Sequence, residues 1–266
     1  MNRQTAVRAP FSAWGGSIRS EVLKLWSLLS NRILLIVPIL MIAGSGGMLS
    51  IGMVARLTDE RFAGQEITAR PMEFVDSVLW AQVVVAIVAV LAVTNEYTSG
   101  QVRLSLLALP SRLPWLGAKA VVLGVAGFCV GVLGSAVALG ISAIALTDTE
   151  VHYEVSFGEA VSLSLKSGLY LAVIAILVVG VTALIRHVVA ALIAVLALLI
   201  VVPPVLSSLP RVSEAVDYLP TIAGRRLFSD FETVAELTPW VGFGVLAVWA
   251  AVALVLSGVL LKARDA

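Results

Sequence analysis

Apolar runs free of Asp, Glu, Lys and Arg occupy about 33–53, 77–95, 120–147, 167–185, 188–210 and 237–261 of the chain. A bilayer-spanning helix needs roughly 20 apolar residues, and each run meets or nears that length. The pattern predicts an all-α membrane protein with spans at about 33–53, 77–95, 115–147, 167–185, 188–206 and 239–261. The third and sixth runs exceed the need, so tilt, bending or extension beyond the membrane is expected there. Residues 1–32 form a leader ahead of the six-span domain at 33–266. Within it Trp14, Ile18, Val22, Leu25, Trp26 and Leu29 share one helical face, and Arg19, Ser20, Lys24, Ser27 and Ser30 the other. That spacing predicts an amphipathic elbow helix lying in the interface, apolar side down. The first run lies too deep in the chain, and is too long, for a secretory signal. The small residues Gly44, Ser45, Gly46 and Gly47 read as a helix-packing surface.

The polar interruptions carry the rest of the pattern. Residues 95–119 begin with Glu96 and Tyr97, turn at Gly100 and continue amphipathically to Pro110, with Arg103, Arg112 and Lys119 against Glu96 alone. This predicts a short helix under the membrane between spans two and three. Arg186-His187 makes a tight hairpin between spans four and five. Pro203-Pro204 must break or kink span five near its end. Residues 207–238 mix apolar and charged positions, including Tyr218, Pro220 and Gly224, and predict short helices dipping into the membrane. Bent backbone at that depth persists only where protein covers it or a cavity wets it. Gly127 and Gly131 form a GxxxG pair, which brings two helices close without naming the second. Trp80 reads as an interface anchor, Gln82 as a polar contact within span two, and Trp240 marks the start of the last span.

Composition sharpens this. The 266 residues are 59% hydrophobic and 13% charged, against about 25% charged in a soluble domain. A net charge of +1 argues against nucleic acid as a partner. Placing the leader, 95–119, Arg186 and the tail (Lys262, Arg264) on one side gives eleven Lys and Arg against three acids. The segments 54–76, 148–166 and 211–236 hold the remaining seven against fourteen acids. Cytoplasmic segments are enriched in Lys and Arg, so both termini are expected in the cytoplasm. Cys129 is the one cysteine; it excludes an intramolecular disulfide and reads as a small buried hydrophobe. His152 among scattered acids is a poor metal set, and no metal site is expected. The chain has no G-x-x-x-x-G-K-S/T phosphate loop and no H-E-x-x-H motif. No acid interrupts the six runs, which removes the usual mark of an ion-coupled carrier. No catalytic residue is expected, and energy for work would come from another protein. An intramembrane enzyme or a self-contained secondary carrier stands as the alternative.

The leader run Ser20-Glu21-Val22-Leu23-Lys24-Leu25 resembles the S-E-x-x-K-L opening of small ABC-2 type permeases. In that family the segment between spans two and three reads approximately E-x-x-x-G-T-x-R-x-x-L-x-x-P-x-R, followed by a lysine. Glu96, Gly100, Arg103, Leu106 or Leu107, Pro110, Arg112 and Lys119 fill the pattern, with Gln101 in place of the threonine. The Tyr-Leu-Pro…Ala-Gly segment at 218–224 is similar to actinobacterial members, and fourteen arginines against four lysines fit a GC-rich bacterium. The resemblance implies the permease subunit of an exporter in the bacterial plasma membrane, moving a drug, lipid or peptide. The chain itself would bind no cofactor. ATP and Mg would sit on a separate P-loop ATPase, present in two copies, and a second permease subunit would complete a homodimer or heterodimer in the lipid bilayer. Glu96, Tyr97, Gly100, Arg103, Leu107, Pro110 and Arg112, with Lys24 alongside, would couple to the ATPase. Gln82, Trp80, Pro203 and Pro204 would line the substrate path, and Tyr218, Pro220 and Gly224 would cap it externally.

Overall fold

A computed structural model describes residues 10–27, 29–62, 64–98, 113–209, 213–229 and 237–263. The described chain is helical, and six of its helical stretches are long and apolar enough to cross a membrane. This is the architecture of a multi-pass membrane protein. The leader contains α1 (Pro10–Ser27), and α2 (Leu29–Leu57) carries the first span. A short α3 (Pro71–Val75) leads into α4 (Val78–Thr98). The long α5 (Leu113–Leu146) and α6 (Phe157–Ile185) follow. The fifth span combines α7 (Val188–Leu196), a π turn (Ala197–Val201) and α8 (Val202–Ser207). Short helices α9 (Ser213–Val216) and α10 (Pro220–Arg225) precede the last span, α11 (Pro239–Ala263).

Close backbone approach organises the centre. A Cβ on Gly127 would stand 2.7 Å from the Leu171 carbonyl oxygen, and one on Gly131 would stand 2.6 Å from that of Ser167. The GxxxG pair therefore packs α5 on α6, where only a hydrogen leaves room for the facing backbone. Gly46 meets Ala138, and Gly134 meets Ile42. Both pairs fit one register, so α2 runs parallel to α5, with Arg32 level with Gly124. Gly180 takes the backbone of Ala253 and seats α6 against α11. At one end of the bundle a Cβ on Gly258 would touch Leu113, which brings the end of α11 to the start of α5. That end is called the terminal face.

The structure differs from the sequence expectation in three places. The fourth span starts at Phe157, ten residues before 167, because a charge-free count stops at Lys166. Ser156 starts this helix: its side chain accepts from the Glu159 amide at 3.1 Å, the Ser-x-x-Glu arrangement of a capping box. Arg186 ends it with φ at 60°, its amide donating to Thr182. The proline pair does not end span five. Pro203 and Pro204 open α8, where a missing N–H costs least, and the distortion falls earlier, where the Val202 amide reaches back five residues to Ala197. Cys129, expected to be buried, is exposed on α5; helix packing turned its face outward.

Candidate functional site: a charge cluster at the terminal face

Three helical pairs spaced one turn apart meet at the terminal face. Glu21 and Lys24 lie three residues apart on α1. Ala92 and Glu96 lie four apart at the end of α4, and Trp115 and Lys119 four apart at the start of α5. Such spacings stack side chains on one face. Lys119 is 2% exposed and donates all three ammonium protons: to Glu21 Oε2 at 2.7 Å, Glu96 Oε1 at 2.8 Å and the Ala92 carbonyl at 2.9 Å. Lys24 closes the ring with Glu21 Oε1 and Glu96 Oε1, both at 2.7 Å. The other Glu96 oxygen accepts from Trp115 Nε1 at 2.7 Å. The four side chains sum to zero charge.

Burying any one of these charges alone would cost several kcal/mol. Alternation of sign and complete hydrogen bonding offset that cost and hold the three helices in one arrangement. Partial burial of Lys24 opposes its charge, yet the Glu21 and Glu96 carboxylates outweigh it and hold its pKa above the ordinary lysine value. The cluster continues through aromatic contacts. Trp115 packs edge-on against Tyr97 at 5.9 Å between ring centres, and the Arg186 guanidinium lies 5.7 Å from the Tyr97 ring centre. The turn between α6 and α7 is thereby drawn to the end of α4.

Of the residues singled out for coupling, Lys24, Glu96 and Tyr97 come together here. Gly100, Arg103, Leu107, Pro110 and Arg112 lie outside the described residues. Glu96 points inward, so its carboxylate serves the bundle. Lys119 belongs to the same ring, and sequence reasoning placed it only as the lysine opening span three. Glu21, singled out in the sequence only within the Ser20–Leu25 run of the leader, turns with Ser17 and Leu25 into the protein, while Trp14, Val22, Trp26 and Leu29 stay exposed. Most of the apolar stripe of α1 is therefore not the face it packs with, Ile18 and Leu25 excepted. The i,i+3 spacing of Glu21 and Lys24 was the available sign.

The opposite face holds a neutral lock. Tyr170, fully buried, donates to Gln82 Oε1 at 2.5 Å. Gly224 of α10 lies against the Tyr170 ring and Leu246; an added Cβ would stand 2.6 Å from Leu246. Thr221 donates to the Leu199 carbonyl at 3.1 Å, within the π turn that the prolines leave short of donors. Tyr170 lies thirteen residues along α6, about 20 Å of helix, so α10 enters deep between the spans. Arg225 bonds Asp76 at 2.7 Å, and Trp249 Nε1 donates to the Tyr218 carbonyl at 2.9 Å. Pro220 and Gly224 are buried, and Tyr218 is exposed. Gln82 and Pro203 are buried, whereas Trp80 and Pro204 are exposed, so these four share no single lining. His152 uses its backbone: its amide donates to Ile67 at 2.8 Å and its carbonyl accepts from Ala69 at 2.9 Å, tying two loops together. No group of three metal-ligating side chains occurs among the described residues.

Among known proteins, no family model matches the chain and no curated protein matches it.

Proposed function

We propose that this chain is the permease subunit of an ABC-2 type exporter, moving a hydrophobic or amphipathic substrate with ATP hydrolysed by a separate P-loop ATPase. The carrying observation is the clamp at the terminal face. Glu96 at one end of the 95–119 segment is bonded to Trp115 and Lys119 at the other, and to Lys24 of the leader. A lever driven by a second protein needs stiff roots in more than one span, and this segment is rooted in α4, α5 and α1 together. In this reading the terminal face is cytoplasmic, in agreement with its excess of Lys and Arg. Arg103 and Arg112 touch the ATPase, and Glu96 anchors the lever from within.

The two roles separate experimentally. When the chain is co-expressed with a candidate P-loop ATPase, Arg103→Glu with Gly100→Pro abolishes co-purification of the two proteins. Glu96→Gln leaves them together but reduces substrate-stimulated ATP hydrolysis. Intact co-purification in the first variant refutes the coupling segment. A secondary carrier has one observation in its favour, the buried Glu96–Lys119 pair, since intramembrane charges mark ion pathways. Transport driven by a pH gradient in vesicles lacking ATP and ATPase would establish that reading.

A further inference from the structure

Beside the charge cluster a groove opens along the outside of the bundle, walled by α1, α2 and α5. Val22 and Trp26 of α1, Ile36 of α2, and Val125, Cys129 and Leu133 of α5 are among its lining. From Val121 to Leu133 it follows twelve residues of α5, about 18 Å. One leaflet of a bilayer's hydrocarbon core is about 15 Å deep. The groove therefore has the length of one acyl chain, beginning at the terminal face.

Its polar end is cationic. Arg32 is the charged residue in the lining, and the α2–α5 register sets it level with Gly124, at the head of the groove. Its Nε donates to the Trp26 carbonyl at 2.6 Å, which leaves the two terminal nitrogens without a partner among the described residues. A guanidinium held in this way presents a fixed fork suited to a phosphate. The groove shares Leu25 and Val122 with the chamber that contains Lys24 and Asn31.

We propose that this groove is a site for an anionic phospholipid of the leaflet at the terminal face, its phosphate on Arg32 and one acyl chain along Val125, Cys129 and Leu133. The proposal is independent of the transport reading. A zwitterionic lipid fits the same groove but brings an ammonium toward a cationic end, so the charge selects the anionic class.

The test is native mass spectrometry of the full-length protein in detergent, titrated with phosphatidylglycerol or phosphatidylcholine of identical chains. The wild-type protein retains its first phosphatidylglycerol about fivefold more tightly than phosphatidylcholine, the scale set by one basic residue at a membrane surface. Arg32→Ala removes the preference, and Arg32→Lys restores part of it. Cys129→Trp fills the groove at mid-length and removes the tight site while Arg32 remains. Val255→Trp, on an exposed face of α11 away from the groove, changes nothing. All these positions are exposed, and an unchanged thermal transition confirms that each variant folds. Equal retention of the two lipids by the wild type, or a preference that survives Arg32→Ala, overturns the proposal. A dimer mass lost in Cys129→Trp with lipid binding unchanged also overturns it, in favour of a second copy in the groove.

Discussion

The polar groups at the centre of each end of the bundle are held in different ways. At the terminal face four charges form an alternating ring, and one of its members, Lys24, keeps a 40% exposed side chain. At the other face a fully buried tyrosine, a glutamine and a backbone carbonyl stranded by prolines are satisfied without charge, with the Arg225–Asp76 and Arg226–Asp217 ion pairs beside them. A neutral hydrogen bond between membrane helices contributes on average only about 0.6 kcal/mol, while an orphaned buried charge costs several. The terminal face is accordingly the end where removal of one group does most damage, and the opposite face is held by fit around α10.

The strongest challenge to that contrast is Lys119→Met. It leaves Glu21 and Glu96 sharing Lys24, and the expected loss is about 3–5 kcal/mol, read as a lowered thermal transition in detergent. Glu21→Gln added to it recovers part of the loss, because fewer unpaired charges remain. A loss below that of the neutral lock would mean that water reaches the ring and the contrast is mistaken.

A smaller effect is expected from Tyr170→Phe, which strands Gln82 while preserving the ring against Phe228 and Gly224. The loss is about 1 kcal/mol. The Gln82→Met, Tyr170→Phe double variant shows less than the sum of the two single losses, since the partners vanish together. Strict additivity would show that the bond contributes nothing to the lock.

The smallest effect concerns pH. Lys24 is held above its ordinary 10.5 in the folded protein. Its charge therefore stabilises fully below that value, and the contribution fades as pH climbs through the raised pKa. Partial exposure limits it to below about 1 kcal/mol. Thermal transitions measured from pH 8 to 11 fall less steeply in Lys24→Met than in the wild-type protein; equal slopes would show that the cluster does not hold Lys24.

The spans were legible because crossing a bilayer demands an apolar stretch long enough to be seen in one dimension. Their edges were less so: Glu159 and Lys166 lie within the fourth helix because the Ser156 cap, not the first uncharged residue, sets where it begins. The GxxxG pair announced a close contact but could not say that Ser167 and Gly168 receive it. The leader was read as an amphipathic helix from its hydrophobic stripe, and the structure turns Glu21 inward because Lys119 waits there, 98 residues away in sequence.

The sequence by itself determined that this is a helical protein with six membrane-length apolar stretches, a leader, and polar interruptions between them. Periodicity, length and charge are local quantities, and they suffice for that much. Tertiary structure alone decided that Glu96 faces the bundle, that Cys129 faces out along a groove ending at Arg32, and that the Leu199 carbonyl finds Thr221. Each depends on which helix lies beside which, and that is set by packing small residues against distant backbone.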